Sequence, residues 1–152
     1  MNTLKIEIPE GFEVDNFDKK TGEVKFKPVP KDIKERIKTF TDVLKYHNII
    51  ARDFAHQCSE LSTDEAAYRK LKLIVAALNE GWTPDWNNGK WDKYLPWFKM
   101  GSPSGVGFSY NDYDDWHSFS FVGSRLCFKS RDLAKYAGNQ FEALYKAYFV
   151  LN

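Results

Sequence analysis

The chain has 152 residues, 43% of them hydrophobic and 28% charged, a composition that suits one folded domain and excludes a disordered, fibrous or low-complexity polypeptide. Its 22 Lys and Arg nearly cancel 21 Asp and Glu, so a net charge of +1 gives no global attraction to nucleic acid or anionic lipid, and an electrostatic partner must meet a local patch. No run of about 18 apolar residues is present to span a bilayer, the opening MNTLKIEIPEGF lacks the regions of a signal peptide, and Cys58 and Cys127 suit reduced thiols, so a cytoplasmic protein without membrane contact is expected.

Leu4, Ile6 and Ile8 alternate with Lys5 and Glu7, and Val24 and Phe26 alternate with Glu23, Lys25 and Lys27. Both runs predict strands, joined through the turn residues Asp18 to Gly22 into an N-terminal β-hairpin over residues 1–30 that Pro28 and Pro30 close. From Lys31 the period lengthens: Ile33, Ile37, Phe40 and Leu44 share one face of a helix running to about residue 46. Between 47 and 61, Ile49, Ile50 and Phe54 fit either a continuation of that helix or a short separate one. Ser62 and Glu65 form a capping box at the start of a helix whose apolar stripe is Ala67, Leu71, Ile74, Val75 and Leu78, with Gly81 placed to end it.

Pro84 and Asn87-Asn88-Gly89 interrupt the tryptophan-rich stretch that follows, predicting an ordered loop that becomes a strand near Tyr94 to Lys99. After Gly101 to Gly105, the alternation of Val106, Phe108 and Tyr110, then Phe119 and Phe121, then Leu126 and Phe128 predicts an antiparallel meander of three or four strands. Ser130 caps a last helix with Leu133, Ala137, Phe141, Leu144 and Tyr148 on its apolar face. The expected fold is α+β: an antiparallel β-meander covered on one face by about three helices, with an N-terminal β-hairpin. One domain, 1–152, divides into the hairpin (1–30), a helical segment (31–81), the aromatic-rich loop and meander (82–129) and the C-terminal helix (130–152).

Three strings occur together: KLKLIVAALNEGWTPDW from Lys70 to Trp86, YLPWF from Tyr94 to Phe98, and GSRLCFKS from Gly123 to Ser130 with LAKYAG from Leu133 to Gly138. In these, over roughly residues 60 to 150, the chain resembles a family of small uncharacterised proteins of phages, prophages and mobile elements from gut anaerobes. The resemblance implies a genomic setting and carries no activity or site residue across.

Two features point to a binding surface. Rings crowd the segment from Trp82 to Phe121, and alternation places some of them on each face of the meander while one layer of helices covers a single face. Trp91, Trp97, Tyr110 and Trp116 are therefore candidates to stack unpaired bases. Residues 19 to 45 hold nine Lys or Arg against four acidic residues, and Lys25, Lys27, Lys34 and Lys38 are candidates to follow phosphates. Asp112, Asp114, Asp115 and His117 form an acidic group of the kind that serves acid/base or metal chemistry, although their spacing fits a polar turn better and lacks the central Gly of a calcium loop. His47, His56, Cys58, Cys127 and His117 include no paired Cys-x-x-Cys, so no zinc or other cofactor is expected. Gly101 to Gly107 is followed by no Lys-Ser or Lys-Thr and is read as a strand connection rather than a phosphate loop.

The first expectation is a non-enzymatic binding or accessory protein contacting nucleic acid, single-stranded for preference, or a protein partner through an aromatic sheet face. A small metal-dependent hydrolase or nuclease built on the acidic group is the alternative, and a structural or homo-oligomeric protein the third reading.

Overall fold

The computed structural model describes residues 5–29, 32–102, 104–117 and 124–150. Leu4, Pro30, Pro103, Phe119 and Phe121, which carried parts of the sequence reading, lie outside the described residues. The chain separates into two compact units, Met1–Arg36 and Ile37–Asn152. Among the described residues, no helix is long and apolar enough to cross a membrane.

The first unit holds the expected hairpin, with its first strand displaced. Strand β1 is Phe12–Phe17 and pairs antiparallel with β2, Val24–Pro28, whereas the alternating run at Ile6 and Ile8 is irregular. A strand at 4–8 would have to close a far longer loop than the tight turn at Asp18 to Gly22, where Gly22 takes φ +75°. An extra residue, Asp15, bulges out of β1 between the Val14↔Phe26 and Asn16↔Lys25 pairs. The bulge resets the alternation, so that Phe12, Val14 and Phe17 share a face with Val24 and Phe26, while Glu13, Lys25 and Lys27 take the other. A short helix α1, Ile33–Arg36, follows.

The expected helix over 31–46 is interrupted. Thr39 starts a new helix, α2 (Phe40–Tyr46), through a capping box: its hydroxyl oxygen accepts from the Asp42 N–H at 3.3 Å, and Asp42 Oδ2 accepts the Thr39 N–H at 2.8 Å. Asn48, left-handed at φ +55°, then turns the chain into a separate short helix, α3 (Ala51–Cys58). The Ser62 box forms as the spacing predicts, with both the Ser62 N–H and hydroxyl donating to Glu65 Oε2 at 3.1 and 2.8 Å. It opens α4, Thr63–Asn79, whose Leu71, Ile74 and Leu78 are fully buried.

Strand β3, Lys93–Lys99, pairs antiparallel with β4, Ser109–Trp116. Among the described residues the meander has two strands: the stretch at Leu126 and Phe128 contributes a 3-10 turn, Ser124–Leu126, and a single bridge in which the Tyr94 and Phe128 backbones exchange N–H···O bonds of 3.1 and 2.7 Å. The expected last helix is two, α5 (Arg131–Gln140) and α6 (Glu142–Phe149), broken at Phe141. Ser130 caps α5 as predicted, accepting from the Leu133 N–H.

α5 packs on β3 and β4, and α6 on α4. Contact between α5 and the sheet is close because residue 138 is glycine: a Cβ there would strike the Tyr110 ring and come within 2.9 Å of Pro96 Cβ. Below α6 the rings of Phe98, Phe108, Tyr145 and Phe149 pack together, Phe98 lying 5.1 Å from Phe108 and 4.7 Å from Tyr145 between centroids.

Candidate functional site

Rings do occupy both faces of the β3–β4 pair. Tyr110 shares the helix-covered face with Phe98, and Tyr113 lies under Arg131 and Lys135 of α5. Trp97 points the other way and is 54% exposed, with Asp112 as its cross-strand neighbour; Leu95 faces Asp114, and Trp116 pairs with Lys93. The exposed face thus carries carboxylates beside its indoles, a poor setting for phosphate. Trp97, Tyr110 and Trp116 do not form one platform, since Tyr110 lies on the opposite face from the two tryptophans.

The basic candidates are placed in the two units. Lys27 is held between Glu13 and Asp15 of β1 at 3.6 and 3.4 Å, and Lys34 lies 3.4 Å from Asp32. Lys25 is exposed on β2, and Lys38 is exposed before α2. For Lys27 and Lys34, nearby carboxylates offset the positive charge that the local count implied.

The four acidic-group candidates sit in or just after a strand, not in a turn, and alternation splits them, Asp112 and Asp114 on one face and Asp115 with His117 on the other side. Asp112 lies 3.8 Å from Lys135 on α5, and Asp114 accepts the Asp115 N–H at 2.9 Å. Asp115 and His117 instead approach Asp92, a residue the local pattern did not offer; their ligand atoms fall within 4.8 Å of one another. Asp92 is already engaged, since its Oδ1 lies 3.0 Å from His117 Nε2 and its Oδ2 accepts the Tyr94 hydroxyl at 2.9 Å.

Three concavities lie elsewhere, two along α4 and one against the loop before β3. One cleft of about 500 Å³ is walled by Trp82, Pro84 and Trp86 of the loop and by Lys72, Val75 and Ala76 of α4, with Arg125 at its side and Cys127 in its lining. A second, of about 480 Å³, is formed by Ile49, Phe54 and Gln57 against Arg69, Lys72 and Leu73. A third, of about 220 Å³, is lined by Trp82, Lys90, Trp91, Asp92, Tyr94 and Lys129. Lys72 lines the first two and Trp82 the first and third, so the three clefts are neighbours and together are termed the track. Arg69, Lys72, Arg125, Lys90 and Lys129 contribute five cations to its walls, against the single lining carboxylate of Asp92 and that of Glu80, which pairs with Lys129 at 3.3 Å.

Local chemistry explains why the track is held open. Lys93, the first residue of β3, has no exposed surface, and its ammonium donates to the carbonyls of Asn88 and Trp91 at 3.0 and 2.6 Å while lying 5.4 Å from the Trp86 ring centroid. A buried ammonium needs such partners, and here they shape the loop that carries Trp86, Lys90 and Trp91. Buried Asn79, at the end of α4, donates to the Cys127 carbonyl at 2.9 Å and accepts the Lys129 N–H at 3.0 Å. It stitches the helix to the segment that carries Arg125 and Lys129. Burial pushes the Cys127 thiol up to about 11, its own backbone hydrogen bond and the Lys93 charge acting the other way, so at neutral pH it is an unionised thiol and a weak nucleophile.

Of the sequence candidates, only Trp91 lines the track, where it is 47% exposed. Lys72 was not singled out, and Arg125 and Lys129, which flank the stretch at Leu126 and Phe128, could be assigned from sequence to solvent or to an anion alike, because the pieces lie some 50 residues apart. The one local signal was the pair Trp82 and Trp86 around Pro84. No family model matches the chain, no curated protein matches it, and no solved structure matches it.

Proposed function

We propose that this is a binding protein for single-stranded nucleic acid, accessory to a phage or mobile element, and that the track along α4 is its contact surface. One observation carries the reading: three neighbouring open clefts, adjoining at Lys72 and Trp82, bring three indole rings and five cations to their walls instead of gathering them around one closed pocket. A closed pocket suits one small molecule; a path suits a polymer with a repeating ring and a repeating negative charge. Stacking on Trp82, Trp86 and Trp91 requires base faces, which a duplex keeps hidden within its stack, and this favours the unpaired strand.

The test is titration with a single-stranded oligonucleotide of about 12 nucleotides, within the length one such surface covers, read by tryptophan fluorescence. Quenching is expected. With four to five phosphates neutralised, the logarithm of the association constant should fall against the logarithm of salt concentration with a slope of about −3. Absence of quenching at low salt overturns the reading, as does a duplex of the same length binding more tightly than the strand.

A further inference from the structure

We infer that the track accepts single strands with little regard to base sequence; this deepens the nucleic-acid reading and rests on it. Telling one base from another takes a fixed donor and acceptor pair at the base edge, most often from an amide, a carboxylate or a guanidinium. The amide and carboxylate groups at the centre of the track are already committed to the protein. Asn79 uses its Nδ2 on the Cys127 carbonyl and its Oδ1 on the Lys129 N–H. Asp92 is closed off by His117 on one oxygen and by the Tyr94 hydroxyl on the other. Gln57 stands at the outer end of the second cleft, on the exposed side of α3.

What remains along the path is ring faces, lysine ammoniums and the exposed guanidiniums of Arg69 and Arg125. An indole face stacks on any base. Arg69 and Lys72 project from consecutive turns of one helix, Arg125 from the segment beside it, and a polymer with a phosphate on every unit presents charge to each of them whatever its bases. The spread of charged groups thus matches the invariant parts of a nucleic acid, while the central amide and carboxylate, Asn79 and Asp92, are turned to the fold.

The experiment compares the intact chain binding oligo-dT, oligo-dA, oligo-dC and a mixed sequence of equal length at one salt concentration. Affinities within about threefold of one another, in the order of stacking strength, are the expected result. One sequence binding more than about tenfold tighter than the rest would show base-edge reading and overturn this inference while leaving the nucleic-acid function intact. If none of the four binds, the underlying reading and this one fall together. Among the described residues Gln57 is the uncommitted amide of the lining, and a ranking of the four oligonucleotides that changes in Gln57→Ala places a base-reading contact there and overturns the inference.

Discussion

The second unit has two aromatic surfaces, and they differ in the charge set beside the rings. On the exposed face of the β3–β4 pair, Trp97 stands opposite Asp112, and Asp114 faces Leu95 on the same side. Along α4, Trp82, Trp86 and Trp91 stand among Arg125, Lys72, Lys90 and Lys129. An exposed indole on a sheet is thus a weak guide to a nucleic-acid surface, because a carboxylate one strand away repels the phosphate that each stacked base brings with it.

The largest effect that should break this comparison comes from Lys93→Met, which leaves the Trp91 carbonyl without its ammonium donor and the Asn88 carbonyl with only the Trp91 N–H. A loss of about 3 kcal/mol in urea unfolding is expected from two lost hydrogen bonds to a charged group, together with loss of oligonucleotide binding as the loop relaxes. The covered side of the sheet should respond next. Gly138→Ala pushes a methyl into the Tyr110 ring, and overpacking of this kind costs about 2 kcal/mol in the same measurement. The contrast itself is sharpened by paired substitutions: Trp82→Ala should weaken oligonucleotide binding about tenfold through one lost stack, whereas Trp97→Ala should leave it unchanged in the same titration.

Thr39→Ala, at a residue that lines none of the three clefts, should lower stability by about 1 kcal/mol at neutral pH through the lost cap, with oligonucleotide affinity unaffected. Partial burial of the Asp42 carboxyl opposes its ionisation, yet hydrogen bonds from the Thr39 hydroxyl and from the Thr39 and Lys38 amides hold it below the ordinary value. The unfolded chain therefore takes up this proton at a higher pH than the folded one. The Asp42 contribution is complete above the ordinary carboxylate range and fades as pH falls through the lowered value, so the cost of Thr39→Ala should shrink towards acid in thermal melts. Smallest is Tyr145→Phe. The Tyr145 hydroxyl is buried without a hydrogen-bond partner among the described residues, so its removal should be neutral or slightly stabilising by differential scanning calorimetry, within about 1 kcal/mol.

Local rules wrote much of the fold into the sequence. The Ser62 box, the stripe from Ala67 to Leu78, the strand at Tyr94 to Lys99 and the Ser130 cap each depend on contacts within a few residues, and each was legible. Thr39 and Asp42 carried the same kind of signal, but the apolar stripe of Ile33, Ile37, Phe40 and Leu44 runs straight through it, and periodicity hid the break. Asn111 to Asp115 has the composition of a turn and is held as strand by its ladder to β3, an energy that no local propensity records. The site was the least legible part. Its cations come from α3's neighbour α4, from the loop before β3 and from the segment after the 3-10 turn, and only folding sets them side by side.

Asn79 gives this arrangement a built-in reporter. Its Oδ1 holds one backbone amide, that of Lys129, in the segment that borders the track. Deuterium can replace that hydrogen only when the stitch between α4 and the segment opens. A strand lying across both sides would hold the stitch shut, so the exchange lifetime of this single amide becomes a clock for occupancy, readable by nuclear magnetic resonance without any added label.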